Sequence, residues 1–262
     1  MSGLVFRESR PEGEPRGTML CVHGYPESSW MWNHVLEAAA AAGWHAVAPD
    51  LPGYGDTPPD PPGTWERHVE ALDRFVDDHD LAPVVLAVHD WGGLIGLRWA
   101  CERGDGRVRG LVISNTGFFP DGKWHGMAQA MRTEGQGEQF VEGIDAGGFA
   151  GMMRGISPGM DDRAIAEYWK GFDGPERRRG HLEMYRSGDF EKLEGLSLAA
   201  LGVPALLLWG GDDPFAPVAG AHRFAREIPG AELTVLDGVG HFVFDDAADE
   251  AAAAVASFLA RL

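Results

Sequence analysis

The sequence predicts an α/β protein built on a doubly wound, mostly parallel sheet. Short apolar runs alternate with helix-period segments, the alternation stops once in the middle of the chain, and it then resumes to the C-terminus. Continuous apolar runs are typical of parallel strands that are covered on both faces. We therefore expect a core formed by residues 1–117 and 197–262, with a helical insertion over residues 118–196.

The predicted strands are short apolar runs bounded by Gly, Pro, Asp or charged residues. In chain order they are Leu4–Phe6, Thr18–Val22, Ala46–Ala48, Val84–Val88, Leu111–Ile113, Ala205–Trp209 and Leu233–Leu236. The predicted core helices carry apolar residues three and four positions apart. They cover Trp30–Ala42, Val69–Val76, Leu94–Ala100, Ala219–Glu227 and Ala247–Leu262. The insertion shows helix-like segments at Ala128–Arg132, Arg163–Trp169 and Glu176–Tyr185 and no recognisable buried strand.

Charge and composition restrict the classes of function. Forty Asp and Glu against 22 Lys and Arg give a net charge of −18 over 262 residues. Nucleic-acid binding is not expected, because it depends on Lys and Arg that displace counterions from phosphates. Binding to an anionic membrane surface is disfavoured for the same reason, and no membrane span is expected, since no apolar stretch of spanning length occurs. Two cysteines, Cys21 and Cys101, are expected to be free thiols in a reducing, cytoplasmic setting.

The first motif that carries chemistry follows the predicted strand Val84–Val88. It reads His89-Asp90-Trp91-Gly92-Gly93 and leads directly into a helix. A reactive side chain at a sharp strand-to-helix turn is the nucleophile-elbow arrangement, here with Asp90 where many such enzymes place Ser. Small residues after the turn let the helix approach the strand. Asp90 is therefore the candidate nucleophile.

Two further residues follow later strands in the order that this arrangement requires. Asp213 lies in a Gly- and Asp-rich turn after Ala205–Trp209, and His241 follows the next predicted strand. Nucleophile, acid, histidine is a known chain order for such triads. Asp212 lies beside Asp213 and competes with it for the place of the acid. An early turn, His23-Gly24-Tyr25-Pro26, offers backbone N–H groups that can face the elbow.

With these motifs the chain resembles the Asp-nucleophile branch of the α/β-hydrolase superfamily, which includes haloalkane dehalogenases and epoxide hydrolases. The resemblance implies that residues 118–196 form a helical cap. It also implies that Asp90 attacks an alkyl carbon to form an ester and that His241, oriented by Asp213, activates water to hydrolyse it. The spacing after Trp-Gly that is usual in this branch favours Asp213 over Asp212 as the acid. The backbone N–H groups of Trp91 and Tyr25 would then stabilise the oxyanion.

The two activities differ in how the leaving atom is stabilised. A halide requires N–H donors, for which Trp91 and the cap residue Trp124 are candidates, although packing of the lid explains Trp124 equally well. An epoxide oxygen requires a proton donor, and Tyr185 resembles one of the usual lid tyrosines. The pattern favours a haloalkane dehalogenase, with an epoxide hydrolase as the alternative and a non-catalytic binding protein of the same fold as a third interpretation.

The same reading of the sequence predicts the substrate class, the cofactors and the assembly state. We expect a small apolar substrate and water, no metal and no cofactor, because neither ligand spacing nor a phosphate or dinucleotide motif occurs. The assembly state is expected to be a monomer or a small homo-oligomer.

Overall fold

A sheet of seven strands forms the centre of the molecule in the computed structural model, which describes residues 3–104 and 106–262. Its order is β1-β3-β2-β4-β5-β6-β7; β1 is antiparallel to β3, and every other neighbouring pair is parallel. The strands are Phe6–Ser9, Thr18–Val22, His45–Pro49, Val84–His89, Val108–Ser114, Ala205–Gly210 and Glu232–Leu236. The predicted doubly wound, mostly parallel α/β sheet is confirmed.

Helices follow most of the strands and pack against the sheet and one another, with α1 against α11 and α2 against α3. The core helices are α1 Asn33–Ala41, α2 Trp65–Asp78, α3 Trp91–Arg103, α9 Ala219–Glu227, α10 Val243–Asp246 and α11 Ala248–Leu259. Apolar spacing explains their placement: α2 starts at the side-chain cap of Thr64 and buries Val69, Leu72, Phe75 and Val76 on one face.

Five α-helices, three short 3₁₀-helices and no strand occupy the chain between β5 and β6, all of which is described. The α-helices are α4 Gly126–Arg132, α5 Gln136–Gly143, α6 Ala146–Ile156, α7 Asp162–Trp169 and α8 Pro175–Ser187. Sequence periodicity predicts α4, α7 and α8 but misses α5 and α6. Both missed helices are rich in glycine, which weakens helix propensity, and α6 gains its start from the Asp145 side-chain cap.

Two other sequence expectations differ from the structure in detail. The first strand runs over Phe6–Ser9 and not over Leu4–Phe6, because its pairing with β3 places Phe6 opposite Pro49 and Ser9 opposite Ala46. The predicted last helix, Ala247–Leu262, is found as α11 and ends at Leu259, and the short helix α10 that precedes it was not predicted. Cys21 and Cys101 are free thiols, as expected. Among the described residues, no helix combines the length and the apolar character needed to cross a bilayer.

Parallel pairing of β2, β4, β5 and β6 aligns the carboxyl ends of these strands at one edge of the sheet. The segments that leave this edge start at His23, Asp90, Asn115 and Gly211. Open parallel sheets bind their ligands outside this edge. Residues that are distant in sequence therefore meet there.

Candidate active site

Asp90 occupies a strained turn between β4 and α3. Its backbone angles are φ 49° and ψ −122°, and a positive φ is uncommon for a residue with a side chain. The Thr116 hydroxyl donates a hydrogen bond to the Asp90 carbonyl at 2.6 Å, which supports the turn from the end of β5. The side chain of Asp90 remains 19% exposed and lines a cavity. This is the geometry of a nucleophile elbow.

Gly92 lets α3 approach the sheet at this turn. A Cβ atom on Gly92 would overlap the carbonyl oxygen of Val22 on the neighbouring strand β2. We expect Gly92→Ala to lower the free energy of unfolding by about 3 kcal/mol, because backbone must move to make room. Gly151→Ala, in α6 with open space around it, is the matched control and should stabilise by roughly 0.5–1 kcal/mol. Urea unfolding of both variants measures this; equal effects would contradict the close packing at Gly92.

The structure brings Asp90, His241 and Asp213 together. His241 Nε2 lies 3.5 Å from Asp90 Oδ2, and its Nδ1 lies 2.7 Å from Asp213 Oδ2. The imidazole and the two carboxylates come from segments that follow β4, β6 and β7. The imidazole is held between two carboxylates, with one nitrogen directed at the candidate nucleophile. Asp212, the competing acid, is exposed instead.

Four donors hold the Asp213 carboxylate in place. His241 Nδ1 and the Asn115 side-chain amide, at 2.7 Å, both donate to Oδ2. The backbone N–H groups of Phe215 and Ala216 donate to Oδ1 at 2.7 and 3.0 Å. No local sequence pattern assigns this supporting role to Asn115. Its amide also accepts the Gly210 N–H at 3.1 Å, so it links the ends of β5 and β6 behind the acid.

The charges at this site shift the pKa of two groups in opposite directions. Burial raises the pKa of Asp90, but the hydrogen bond and charge of His241 outweigh it and lower that pKa to about 2. Burial lowers the pKa of His241, but the carboxylates of Asp213 and Asp90 outweigh it and raise that pKa to about 10. At neutral pH the resting site therefore holds an ionised Asp90 beside an imidazolium.

Neutralising Asp90 is expected to lower the pKa of His241. In Asp90→Asn the imidazolium keeps Asp213 but loses one of its two carboxylate partners, so its proton is held less tightly. Histidine-resolved NMR titration of the variant and the wild type measures the change. Asp249→Asn removes a carboxylate of an exposed side chain and serves as the control. An unchanged His241 pKa in Asp90→Asn would contradict the ion pair with Asp90.

One of the two predicted oxyanion donors contacts Asp90 in the resting structure. The Tyr25 backbone N–H donates to Asp90 Oδ1 at 2.8 Å. The backbone N–H of Trp91 belongs to the first turn of α3, where N–H groups lack helical partners, and no acceptor for it is found within the described chain. Oδ1 is therefore already held, while Oδ2 faces His241.

A largely apolar cavity of about 260 Å³ lies over Asp90. Trp91 and Trp124 both line it, and their rings stack with centroids 5.5 Å apart. Tyr185 is buried behind Trp91, with ring centroids 5.1 Å apart. We call this space the Asp90 cavity; its other lining residues are Leu94, Thr116, Gly117, Phe119, Gly122, Lys123, His125, Phe190, Phe215, Ala216, Pro217, Ala219 and Gly220.

A buried pair behind the site was assigned no function from the sequence. His89 Nδ1 lies 2.8 Å from Glu27 Oε2, and His89 Nε2 lies 2.9 Å from the backbone carbonyl of His241. A carbonyl only accepts, so Nε2 carries a proton, and the contact with Glu27 requires a second proton on Nδ1 or on Glu27. The pair is therefore neutral as a whole and fixes the backbone of His241. Only the fold reveals it, because Glu27 and His89 are 62 positions apart.

Comparison with known proteins places the chain in a family. The model of the alpha/beta hydrolase fold matches residues 17–248. The chain belongs to the α/β-hydrolase fold family.

Relatives of this α/β-hydrolase carry two different names. A haloalkane dehalogenase of Bradyrhizobium diazoefficiens is 29% identical over 292 residues, covering 100% of this chain and 92% of the relative. A cis-3-alkyl-4-alkyloxetan-2-one decarboxylase of Xanthomonas campestris is 29% identical over 280 residues, covering 97% and 91%. Among solved structures, a variant of DBJA superposes with a TM-score of 0.84 at 27% identity, covering 98% of this chain and 94% of that one. The chain is an α/β-hydrolase enzyme of the branch that includes haloalkane dehalogenases and epoxide hydrolases.

Proposed function

We propose that this α/β-hydrolase is a haloalkane dehalogenase that hydrolyses carbon–halogen bonds through an alkyl ester on Asp90. The observation that carries the proposal is the state of Asp90: an ionised carboxylate at the base of an apolar cavity, with Oδ1 already bound by an N–H donor. Such a carboxylate needs no base in order to attack an alkyl carbon. The substrate is a small molecule with an apolar body, and water is the second reactant.

In the first step, Asp90 Oδ2 attacks the carbon that carries the halogen. The carbon–oxygen bond forms as the carbon–halogen bond breaks, and the halide leaves with the bonding electron pair. The indoles of Trp91 and Trp124 line the cavity and supply N–H groups for the departing anion. None of the chain's four tyrosines, all of them described, lines the cavity, and this favours a halide over an epoxide.

In the second step, His241 takes a proton from water as the water oxygen attacks the carboxyl carbon of the ester. Alkylation neutralises Asp90, which removes one cause of the raised pKa of His241, so that the imidazole can lose its proton and act as base. Asp213 holds Nδ1 and stabilises the imidazolium that forms. The Tyr25 N–H stabilises the negative charge that develops on Oδ1. The tetrahedral intermediate then collapses, and the departing alkoxide takes the proton held by His241 and leaves as the alcohol. The new carboxyl group of Asp90 gives its proton to His241, which restores the resting carboxylate and imidazolium.

An epoxide hydrolase is the second candidate function, favoured by the place of Tyr185. The pKa of its hydroxyl is raised well above the usual value by burial and by Asp90, so the group stays protonated, and it contacts Trp91 beside the nucleophile. If Tyr185 protonates the epoxide oxygen, Tyr185→Phe should lower diol formation much more than it lowers bromide release. Equal losses of both activities would indicate a packing role for Tyr185.

Three substrates offered in parallel test the proposal. We expect bromide release from 1-bromohexane to exceed both diol formation from styrene oxide and release of CO₂ from a cis-dialkyl oxetan-2-one. Diol without bromide would establish the second candidate instead. Release of CO₂ without the other two products would show that this chain catalyses the decarboxylation named for the Xanthomonas relative. No product from any substrate would favour a binding protein.

A further inference from the structure

Two basic side chains in the Asp90 cavity have no part in the proposed reaction. Lys123 and His125 flank Trp124 on the segment between β5 and α4, and both line the cavity. The only other lining side chains with N or O atoms, apart from the indoles, are Asp90 and Thr116, within the described part of the chain. The Thr116 hydroxyl already donates a hydrogen bond to the Asp90 carbonyl. Lys123 and His125 are therefore the polar groups left to recognise a substrate.

The His125 ring presents an N–H group. Its Nδ1 accepts the Ala128 N–H at 3.5 Å and so caps the start of α4, which leaves the ring proton on Nε2 in the neutral form. Burial lowers the pKa of His125, so this neutral form prevails. The ring packs on Phe215 at 5.0 Å between centroids, and Phe215 packs on His241 at 5.2 Å. Its orientation is thereby fixed relative to the catalytic histidine.

Lys123 supplies a positive charge without a carboxylate partner. The other two lysines each pair with carboxylates within 4.0 Å, Lys170 with Asp56 and Glu167 and Lys192 with Glu66. No such pair involves Lys123 among the residues that the structure describes. This is notable in a chain with 40 acidic and 22 basic residues. Lys123 is an exposed residue that also lines the cavity, so its side chain is open to both solvent and a bound ligand.

We propose that the natural substrate is a halogenated carboxylic acid whose carboxylate binds Lys123 and His125 while its halogen-bearing carbon lies at Asp90. This inference rests on the proposed dehalogenase function and defines its substrate class. An ammonium and an imidazole N–H are both donors, and a carboxylate provides two acceptor oxygens with a complementary charge. The apolar body of the substrate occupies the aromatic part of the cavity, between the mouth and the nucleophile.

A matched pair of substrates tests this inference. We expect kcat/KM for bromide release to be about tenfold higher with 6-bromohexanoate than with 1-bromohexane, since one charge-assisted contact is worth roughly 1.5 kcal/mol. Lys123→Met should reduce this preference about fivefold, and Lys123→Arg should restore most of it. Arg226→Met removes an exposed positive charge at the far end of α9, outside the cavity lining, and should leave the preference unchanged.

His125→Asn provides an independent variant, because Asn also caps helices well and the start of α4 is retained. We expect it to reduce the preference for the acid a fewfold by moving the donor out of reach. Bromide release from 1-bromohexane without any preference for the acid would overturn this inference and leave the dehalogenase proposal standing. A preference that Lys123→Met and Arg226→Met reduce equally would also overturn it. If neither substrate releases bromide, the dehalogenase proposal itself is overturned.

Discussion

His241→Gln is expected to stop the reaction at an alkyl ester on Asp90. The first step needs only an ionised Asp90, which Tyr25 N–H still stabilises, whereas the second step needs a base to activate water. Rapid mixing of this variant with 1-bromohexane should give a burst of about one bromide per chain. Steady-state turnover should then be about 10⁴-fold slower than in the wild type. The peptide that contains Asp90 should gain the mass of the hexyl group.

The control for this variant is His34→Gln. His34 is an exposed histidine on α1 whose ring is within hydrogen-bond distance of the exposed Asp249 side chain, so the substitution should leave turnover unchanged. Slow turnover of His241→Gln without a burst and without modified Asp90 would contradict the assigned base. A burst with the mass increase on another residue would contradict the assigned nucleophile.

Asp90→Asn is expected to abolish the first step. The amide is neutral and a poor nucleophile, so bromide release should fall by about 10⁴-fold or more, with no burst. Asn tolerates a positive φ better than most residues, so the turn at φ 49° should keep its conformation. Circular dichroism and thermal unfolding check that the variant is folded. Bromide release within tenfold of the wild type would show that Asp90 is not the nucleophile.

The sequence alone predicts those parts of the candidate site that follow directly from strand ends. Asp90, Asp213 and His241 each come after an apolar run, and the parallel sheet brings their segments to one edge. Chain order and spacing favoured Asp213 over Asp212, and the structure places the Asp213 carboxylate against His241. The Tyr25 turn was also located from its position after β2.

Other parts of the site depend on contacts between distant residues. Asn115 supports Asp213 across 98 positions, and His89 reaches both Glu27 and the His241 backbone. No local pattern marks such contacts, because each residue is unremarkable in its own segment. Helices α5 and α6 were missed for a different reason: their glycines lower the helical signal, and tertiary packing of Val141, Phe149 and Met153 stabilises them.

The central claim is that the alcohol oxygen comes from Asp90 and not directly from water. A single turnover in H₂¹⁸O, with enzyme in excess over 1-bromohexane, tests it most directly. Attack of water on the carboxyl carbon of the ester predicts unlabelled hexanol and one ¹⁸O atom in the carboxylate of Asp90. Labelled hexanol with an unlabelled Asp90 would mean that water attacks the alkyl carbon itself, and would contradict the covalent mechanism.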